Sequence, residues 1–492
     1  MEYTEFADYP TPSGVITEWI PSTAESAWAD DDRPLSTNHA AHLAHTRDHD
    51  TSWIGTAFYL EGTLDPRAFA TTLRRWFARH ETFRTTAVAA GDGLRRRVLD
   101  TGSLAIDVRR YGRVRSSLDV YRHIEAFLAS EVRAHTWPHI VFTTVEHAAH
   151  ADDRANCDPQ TTEGFTVVFG ADHAVMDAYT QVVAIVELRE IYRAVVAGTE
   201  PALPGCGSFV DHSAAESLAA AALTVDHPAV RAWDDFLSAD TVAAHSGSDA
   251  DRLPAFPLPV GPKETDRAGG TTQSSVSLWI LPRAQTEAFS AVCKASGSSG
   301  STGILTAIGI ALARLSGDRV NRYIMPMHTR TSPEWYLAAG WFVGLIPVHD
   351  DLGAAESFTT ALTGTATASK AHRALAAHSF GRVAELLEIS PRPRFVVSYI
   401  DGRTIPGAGE WTARDRALRS PVRSDDEVYL WINRTADGIN LSTRFPGNDT
   451  ASASVHAFIA EFSAVLREVA EHGDAPVIAD PVVVRTDGGD RR

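Results

Sequence analysis

The sequence predicts an α/β protein with mixed sheets. Three observations lead there. Residues 165–192, FTVVFGADHAVMDAYTQVVAIVELREIY, read as a strand, a tight loop and a long helix. The regions on either side of a Pro-, Gly- and Asp-dense stretch at 246–272 share one strand–helix grammar without an obvious repeat. Residues 428–433 and 438–445 read as a hairpin across Ala436-Asp437-Gly438, which adds antiparallel strands to the alternating ones.

Taken in order, residues 1–34 are turn-rich, with one edge strand expected in TPSGVITEWIP. A helix starts after Pro34, capped by Ser36. Residues 53–60 read as a strand. The stretch 64–80 is an amphipathic helix with Phe69, Leu73 and Phe77 on one face. ETFRTTAV returns to strand character, 121–131 is a helix, 139–147 a strand and 150–162 a polar loop. In the 165–192 unit, Phe165, Val167, Val168 and Phe169 make a short strand, and Gly170 is expected to end it. Val182, Val183, Ile185, Val186 and Leu188 make the helix apolar, with Glu187, Arg189 and Glu190 among them. A Pro/Gly loop follows, then helices at 213–223 and 229–237. The 246–272 stretch reads as a surface linker. Beyond it come a strand at 275–282, helices at 283–295 and 301–315, strands at 322–327 and 344–348, and a helix at 358–377. PRFVVSYID is a buried strand, 452–472 the last helix, and DGGDRR a disordered tail.

Bulk properties narrow the function. The 492 residues suggest two or three domains, and 44% hydrophobic content fits a well-buried globular chain. A net charge of -17 argues against a nucleic-acid partner. An acidic carrier would need a local basic patch. Cys157, Cys206 and Cys293 match neither a zinc pattern nor a disulfide framework, so a reducing cytoplasm is expected. The amino terminus is acidic and lacks the apolar run of a signal peptide. No stretch approaches the ~20 apolar residues of a membrane span.

Asp172, His173 and Asp177 lie between the central strand and helix. A histidine held there suits a general base, because its intrinsic pKa lies near working pH. The same pattern also fits a helix-start histidine with an ordinary first-turn acid. Arg95, Arg96 and Arg97, with Arg74 and Arg75, read either as a landing site for carrier-protein or coenzyme A phosphates, or as a solvated surface. His39, His42, His45 and His49 drift around a helix and lack a completing acid or cysteine, so no metal site is expected. Ser208 and Ser301 lack a nucleophile elbow, and 297–303 lacks the P-loop lysine.

These residues carry a family resemblance. Arg79 to Thr85, RHETFRT, resembles the RHExLRT segment of the condensation-domain superfamily. Asp172 to Ala178, DHAVMDA, resembles its HHxxxDG motif. Phe209 to His212, Trp233 and 253–259 resemble its bridging segment. Arg330 to Glu334 followed by GWFVGLIP at 340–347 resembles the start of its second active-site wall, and Ser398-Tyr399 is similar to the family pattern. The blocks PSGVITEW and TRTSPEWYLAAGWFVGLIPV look closest to polyketide-associated acyltransferases. Free-standing condensation enzymes of nonribosomal peptide and enediyne pathways are also similar.

The resemblance implies two chloramphenicol-acetyltransferase-like halves in a V-shaped pseudo-dimer with a central tunnel. Residues 1–212 would form the first half, 213–272 the bridge, 273–480 the second half and 481–492 a disordered tail. Tyr179, Trp341, Phe342, Ser398 and Tyr399 would line the tunnel. The donor would be an acyl or aminoacyl thioester on phosphopantetheine, from an acyl or peptidyl carrier protein or acyl-CoA. No cofactor would be bound permanently. The acceptor would be a small-molecule alcohol or amine in natural-product biosynthesis. His173 would be the base and Asp177 a structural acid paired with Arg330.

Asp172 replaces the first motif histidine and Ala178 the closing glycine. Asp172 can face the base, or it can cap the following turn through Ala174 or Val175 N–H; the cap suits an acid at a helix start. Three functions follow: ester formation from a CoA or polyketide-type thioester, condensation from a peptidyl carrier, and carrier binding without catalysis.

Overall fold

A computed structural model of the chain describes residues 2–46, 52–91, 93–147, 164–238, 252–262 and 270–478. Its strands are β1 Glu2–Glu5, β2 Gly14–Ser22, β3 Trp28–Asp31, β4 Ile54–Glu61, β5 Thr85–Ala90, β6 Gly93–Leu99, β7 Ala105–Val114, β8 Ile140–His147, β9 Gly164–Ala171, β10 Gln273–Pro282, β11 Val320–His328, β12 Val343–Asp351, β13 Phe395–Asp401, β14 Arg416–Arg419, β15 Val428–Thr435 and β16 Gly438–Pro446. The helices are α1 Thr37–His45, α2 Pro66–Arg79, α3 Ser117–Glu131, α4 Ala178–Ala197, α5 Phe209–Ala221, α6 Pro228–Ser238, α7 Arg283–Ala295, α8 Gly300–Ser316, α9 Phe358–Ala371, α10 Phe380–Leu386 and α11 Asp449–His472.

Among the described residues the strands form three sheets, ordered β1-β14-β4-β9-β8-β2-β7, β10-β16-β15-β13-β11-β12 and β3-β6-β5. The first two are mixed: β1 runs parallel to β14 and β13 to β15, while most other neighbours are antiparallel. This is the expected α/β class with two sheet-and-helix halves.

β9 sits mid-sheet, and all eight of its residues are buried. Phe165, Val167 and Phe169 pack on Leu73, Trp76 and Phe77 of α2 and Val182, Ile185 and Leu188 of α4. Val168 packs oppositely, on Val120, Ile124 and Leu128 of α3. Burial on both faces explains why the strand reads as an unbroken apolar run. The second half is built the same way, with α7, α8 and α11 over the β10–β16 sheet.

Several expectations need correction. Gly170 continues β9 to Ala171 instead of ending it. A Cβ there would lie 3.1 Å from Leu128 and 3.3 Å from Trp53, so the glycine serves close packing. β2 is no edge strand, since it pairs with β7 and β8. Glu81–Arg84 is a 3-10 turn ahead of β5, and the 358–377 helix breaks after Ala371 into a 3-10 turn. Leu253 and Phe256 are buried in the second core, so the linker is anchored there and not simply laid over the surface. The 150–162 loop and the tail lie outside the described residues.

β14 had no sequence signal. It comes late in the chain yet fills the first sheet between β1 and β4. Arg189 of α4 grips Asp415 beside it at 2.7 Å, and Ser420 N–H donates to the Trp53 carbonyl at 2.9 Å. At the same junction Arg444 of β16 pairs with Glu5 of β1 at 2.6 Å.

Candidate active site

β9 ends at Ala171, where the Asp172 N–H donates to the His139 carbonyl at 2.8 Å. His173–Val175 form one 3-10 turn, capped by Asp172, whose Oδ1 accepts from Ala174 N–H at 2.8 Å. Asp177 then caps α4, accepting from the Thr180 N–H and Oγ1, both at 2.8 Å. Two acids thus cap the starts of two successive helical segments, and the histidine lies between them.

Asp177 is 1% and Arg330 3% exposed. Arg330 Nη1 donates to Asp177 Oδ2 at 2.7 Å and Nη2 to Oδ1 at 3.1 Å. Phe342 N–H donates to the same carboxylate at 3.0 Å. Burial alone would raise the Asp177 pKa, but Arg330 and Thr180 hold it below the ordinary value. The guanidinium lies between the Tyr179 ring at 4.7 Å and the Phe342 ring at 4.4 Å, a desolvated cation between two aromatic faces. Gly340 permits this fit: a Cβ there would lie 2.2 Å from the Phe209 ring. The loop after β11 is thereby fastened to the start of α4.

A second buried acid fastens the other side. Glu187 of α4 accepts from Trp76 Nε1 at 2.9 Å, Arg79 Nε at 2.8 Å and His80 Nε2 at 2.6 Å. Burial works against both charges; each nonetheless favours the other, so His80 is raised and Glu187 lowered. Ala339 N–H reaches His80 Nδ1 at 3.3 Å. The RHETFRT segment therefore ties α2 to α4 and to the 338–342 loop.

His173 lies in the middle of these ties. The Trp341 ring is 4.2 Å from its ring, tilted by 40°. Burial lowers its pKa from 6.5, its own backbone carbonyl and the two acids opposing, which favours the neutral imidazole near pH 7. Among the described residues, no other residue hydrogen-bonds its buried Nδ1.

A family profile for the condensation domain matches residues 42–398. The chain belongs to the condensation-domain family. It is similar to acyltransferase PapA3 of Mycobacterium tuberculosis, 26% identical over 500 residues, covering 96% of this chain and 99% of that protein. It is also similar to the 2'-acyl-2-O-sulfo-trehalose (hydroxy)phthioceranyltransferase PapA1 of the same species, 27% identical with 98% and 92% covered. The solved structure of PapA2 acyl transferase superposes with a TM-score of 0.81 at 23% identity, covering 96% of this chain and 100% of that one. As a condensation-domain protein with these relatives, the chain is an acyltransferase.

Within this condensation domain the structure gathers Asp172, His173, Asp177, Tyr179, Arg330, Trp341 and Phe342 around one turn. Tyr179 and Phe342 flank Arg330; Phe342 is 0% exposed and so is a packing group, while Tyr179 is half-buried. Ser398 and Tyr399 point to opposite faces of β13. Tyr399 packs with the second core, near Cys293 and Arg434, and so does not join the site. Arg95 pairs with Asp30 and Arg97 with Glu25, while Arg96 is buried and donates to Ser213, so the arginine run is already engaged. In the histidine run, His39 is buried and His45 Nδ1 meets its own helix at Ala41; His49 lies outside the described residues. Among the described residues no metal-binding cluster occurs, and no helix is long and apolar enough to cross a membrane.

Two residues that fasten the site were given no role there by the sequence. Glu187 looked like one charge among several on α4; an acid amid five apolar neighbours was its signal. His42 contacts Asp172 and was considered only for metal binding; an acid standing where the motif has a histidine was the hint that a donor would answer it.

Proposed function

We propose that this protein transfers an acyl group from a phosphopantetheine thioester, on coenzyme A or a carrier protein, to a hydroxyl of a small acceptor, with His173 as general base. The observation carrying this reading is the environment of His173. Its ring sits in the motif turn between two capping acids, faces Trp341 and is biased by burial toward its neutral form. A neutral imidazole there accepts the proton of the attacking hydroxyl. The hydroxyl oxygen bonds to the thioester carbonyl carbon, the C–S bond then breaks, and the imidazolium returns its proton to the departing thiolate. Asp177 and Arg330 keep the turn and the 338–342 loop in place and take no part in proton transfer. The PapA1 and PapA2 relatives are named for trehalose-based acceptors, which supports a sugar-type hydroxyl and an ester product.

The test is an intact-mass and product-mass assay with acyl-CoAs and loaded carrier proteins, offered trehalose, other polyols and amines. An ester product that vanishes in His173→Ala supports the proposal. Amide product only, or carrier binding without transfer from any donor, overturns it.

A further inference from the structure

One titratable residue at the site that the proposed chemistry leaves unused is His42, on α1. Its Nε2 lies 3.0 Å from Asp172 Oδ1 and 3.1 Å from Oδ2. The same carboxylate caps the His173 turn through Ala174 N–H at 2.8 Å. The His42 ring also meets the Trp341 ring edge-on at 5.8 Å and 85°, and Trp341 covers His173. His42 thus reaches His173 by two routes, through the acid beneath it and through the indole beside it. The three contributing segments are far apart in sequence, so no local folding preference explains the arrangement.

Asp172 is 2% exposed, and a buried carboxylate with no counter-charge is strongly disfavoured. Burial works against its ionisation; the hydrogen bond and charge of His42, with His139 and Ala174 N–H, overcome it and hold the carboxyl at about 2. An ionised acid beside His173 favours the imidazolium, whereas the charge of His42 opposes it. The titratable and charged groups around the turn are His39 and His42 from α1, His139 before β8, Asp172 and Asp177 from the turn itself, and Arg330 from the loop after β11.

We infer that His42 is a positioning residue for His173: it neutralises Asp172 and, together with Trp341, fixes the turn that carries the base. This rests on the reading of His173 as the base. The arrangement also accounts for the acid at 172, since the hydrogen-bond partner it requires is supplied from α1.

The test uses the full chain as His42→Ala, His42→Gln, Asp172→Asn and the double variant His42→Gln/Asp172→Asn. Two readouts are taken: the NMR titration of the His173 ring, assigned by its disappearance in His173→Ala, and kcat and KM against pH. In His42→Ala the acid is left uncompensated. Imidazolium is then favoured, so the His173 titration and the acid limb of kcat/KM move to higher pH. We expect kcat to fall about 10-fold or more, the scale of groups that orient a ligand through its neighbour, with KM within about 2-fold. In Asp172→Asn the limb moves to lower pH, because the group favouring imidazolium is gone while the Ala174 cap remains. The double variant returns toward the wild-type titration. His42→Gln preserves a donor to the carboxylate and guards against a folding defect in His42→Ala. An unmoved His173 titration in both His42 variants, or equal shifts of one sign in His42→Ala and Asp172→Asn, overturns the inference. If His173→Ala keeps wild-type turnover, the base assignment falls, while the NMR readout still decides whether His42 positions the ring.

Discussion

Consider removing Arg330, Asp177 or both. Each is at most 3% exposed, and they share two hydrogen bonds of 2.7 and 3.1 Å. Truncating one partner leaves the other charge buried without its counterpart, at a cost of ~3–5 kcal/mol. Asp177→Ala also removes the α4 cap, a further ~1 kcal/mol. A unit of ordinary domain size responds by ~2–4 °C per kcal/mol, so Arg330→Ala should melt about 6–20 °C lower and Asp177→Ala about 8–24 °C lower. The double variant loses the pair and the cap but orphans no charge. Its cost should therefore fall short of the sum by ~2–3 kcal/mol, the coupling scale of contacting residues. Calorimetry and urea titration of the four proteins measure this cycle, with turnover read in parallel. Wild-type melting with lost turnover in Asp177→Ala would refute the structural role. Strictly additive costs would show that the two groups are not coupled.

His173→Ala should lower turnover by at least ~100-fold with an unchanged melting curve, and the wild-type acid limb of kcat/KM should lie below pH 6.5, because burial lowers the pKa of a base that must be neutral. The Asp172 carboxyl, moved from 3.8 to about 2, contributes stability present above pH 3.8 and lost as pH falls through about 2; the shift corresponds to ~2 kcal/mol, so the stability gap between wild type and Asp172→Asn in urea titrations should close across that window. Gly340→Ala places a Cβ 2.2 Å from the Phe209 ring, so overpacking should cost ~1–3 kcal/mol and reduce turnover as the 338–342 loop shifts; a variant with wild-type melting and rate would show that the loop yields freely.

Periodicity in the sequence located β9, α2, α4 and α11 because each presents a sustained apolar pattern that tertiary packing reinforces. Ser36 as the cap of α1 was readable from local chemistry alone, and it accepts from His39 N–H as a cap should. Gly170 misled because glycine reads locally as a break, whereas here its role is set by Leu128 and Trp53, residues remote in the chain. β14 was invisible for a related reason: RALR is four residues with no alternation, made a strand by the partners that flank it. At the site, the turn of Asp172, His173 and Asp177 stood out as a motif, and its pairing with Arg330 followed from resemblance. The roles of His42, Glu187 and Trp341 depend on side chains converging from separate segments, which spacing along a chain does not encode. Tyr399 was misplaced because adjacent residues on a strand face opposite ways, and its ring packs with the second core.

The late strand β14 bears on how this enzyme can be recombined. A gene severed between α6 and β10 yields a front fragment in which β4 keeps β9 but loses its neighbour on the other side, and β1 has no sheet neighbour among the described residues. The back fragment carries an orphan strand whose Ala417 and Leu418 belong to the other fragment's interior. Exchanging back halves between relatives therefore also exchanges an inner strand of the recipient's first sheet. A working chimera must match residues 416–419 to the segment 54–57 that receives them, so the compatibility of two parents is decided in part at this seam, whose Leu418 carbonyl also accepts from Gln181 of α4 at 2.9 Å.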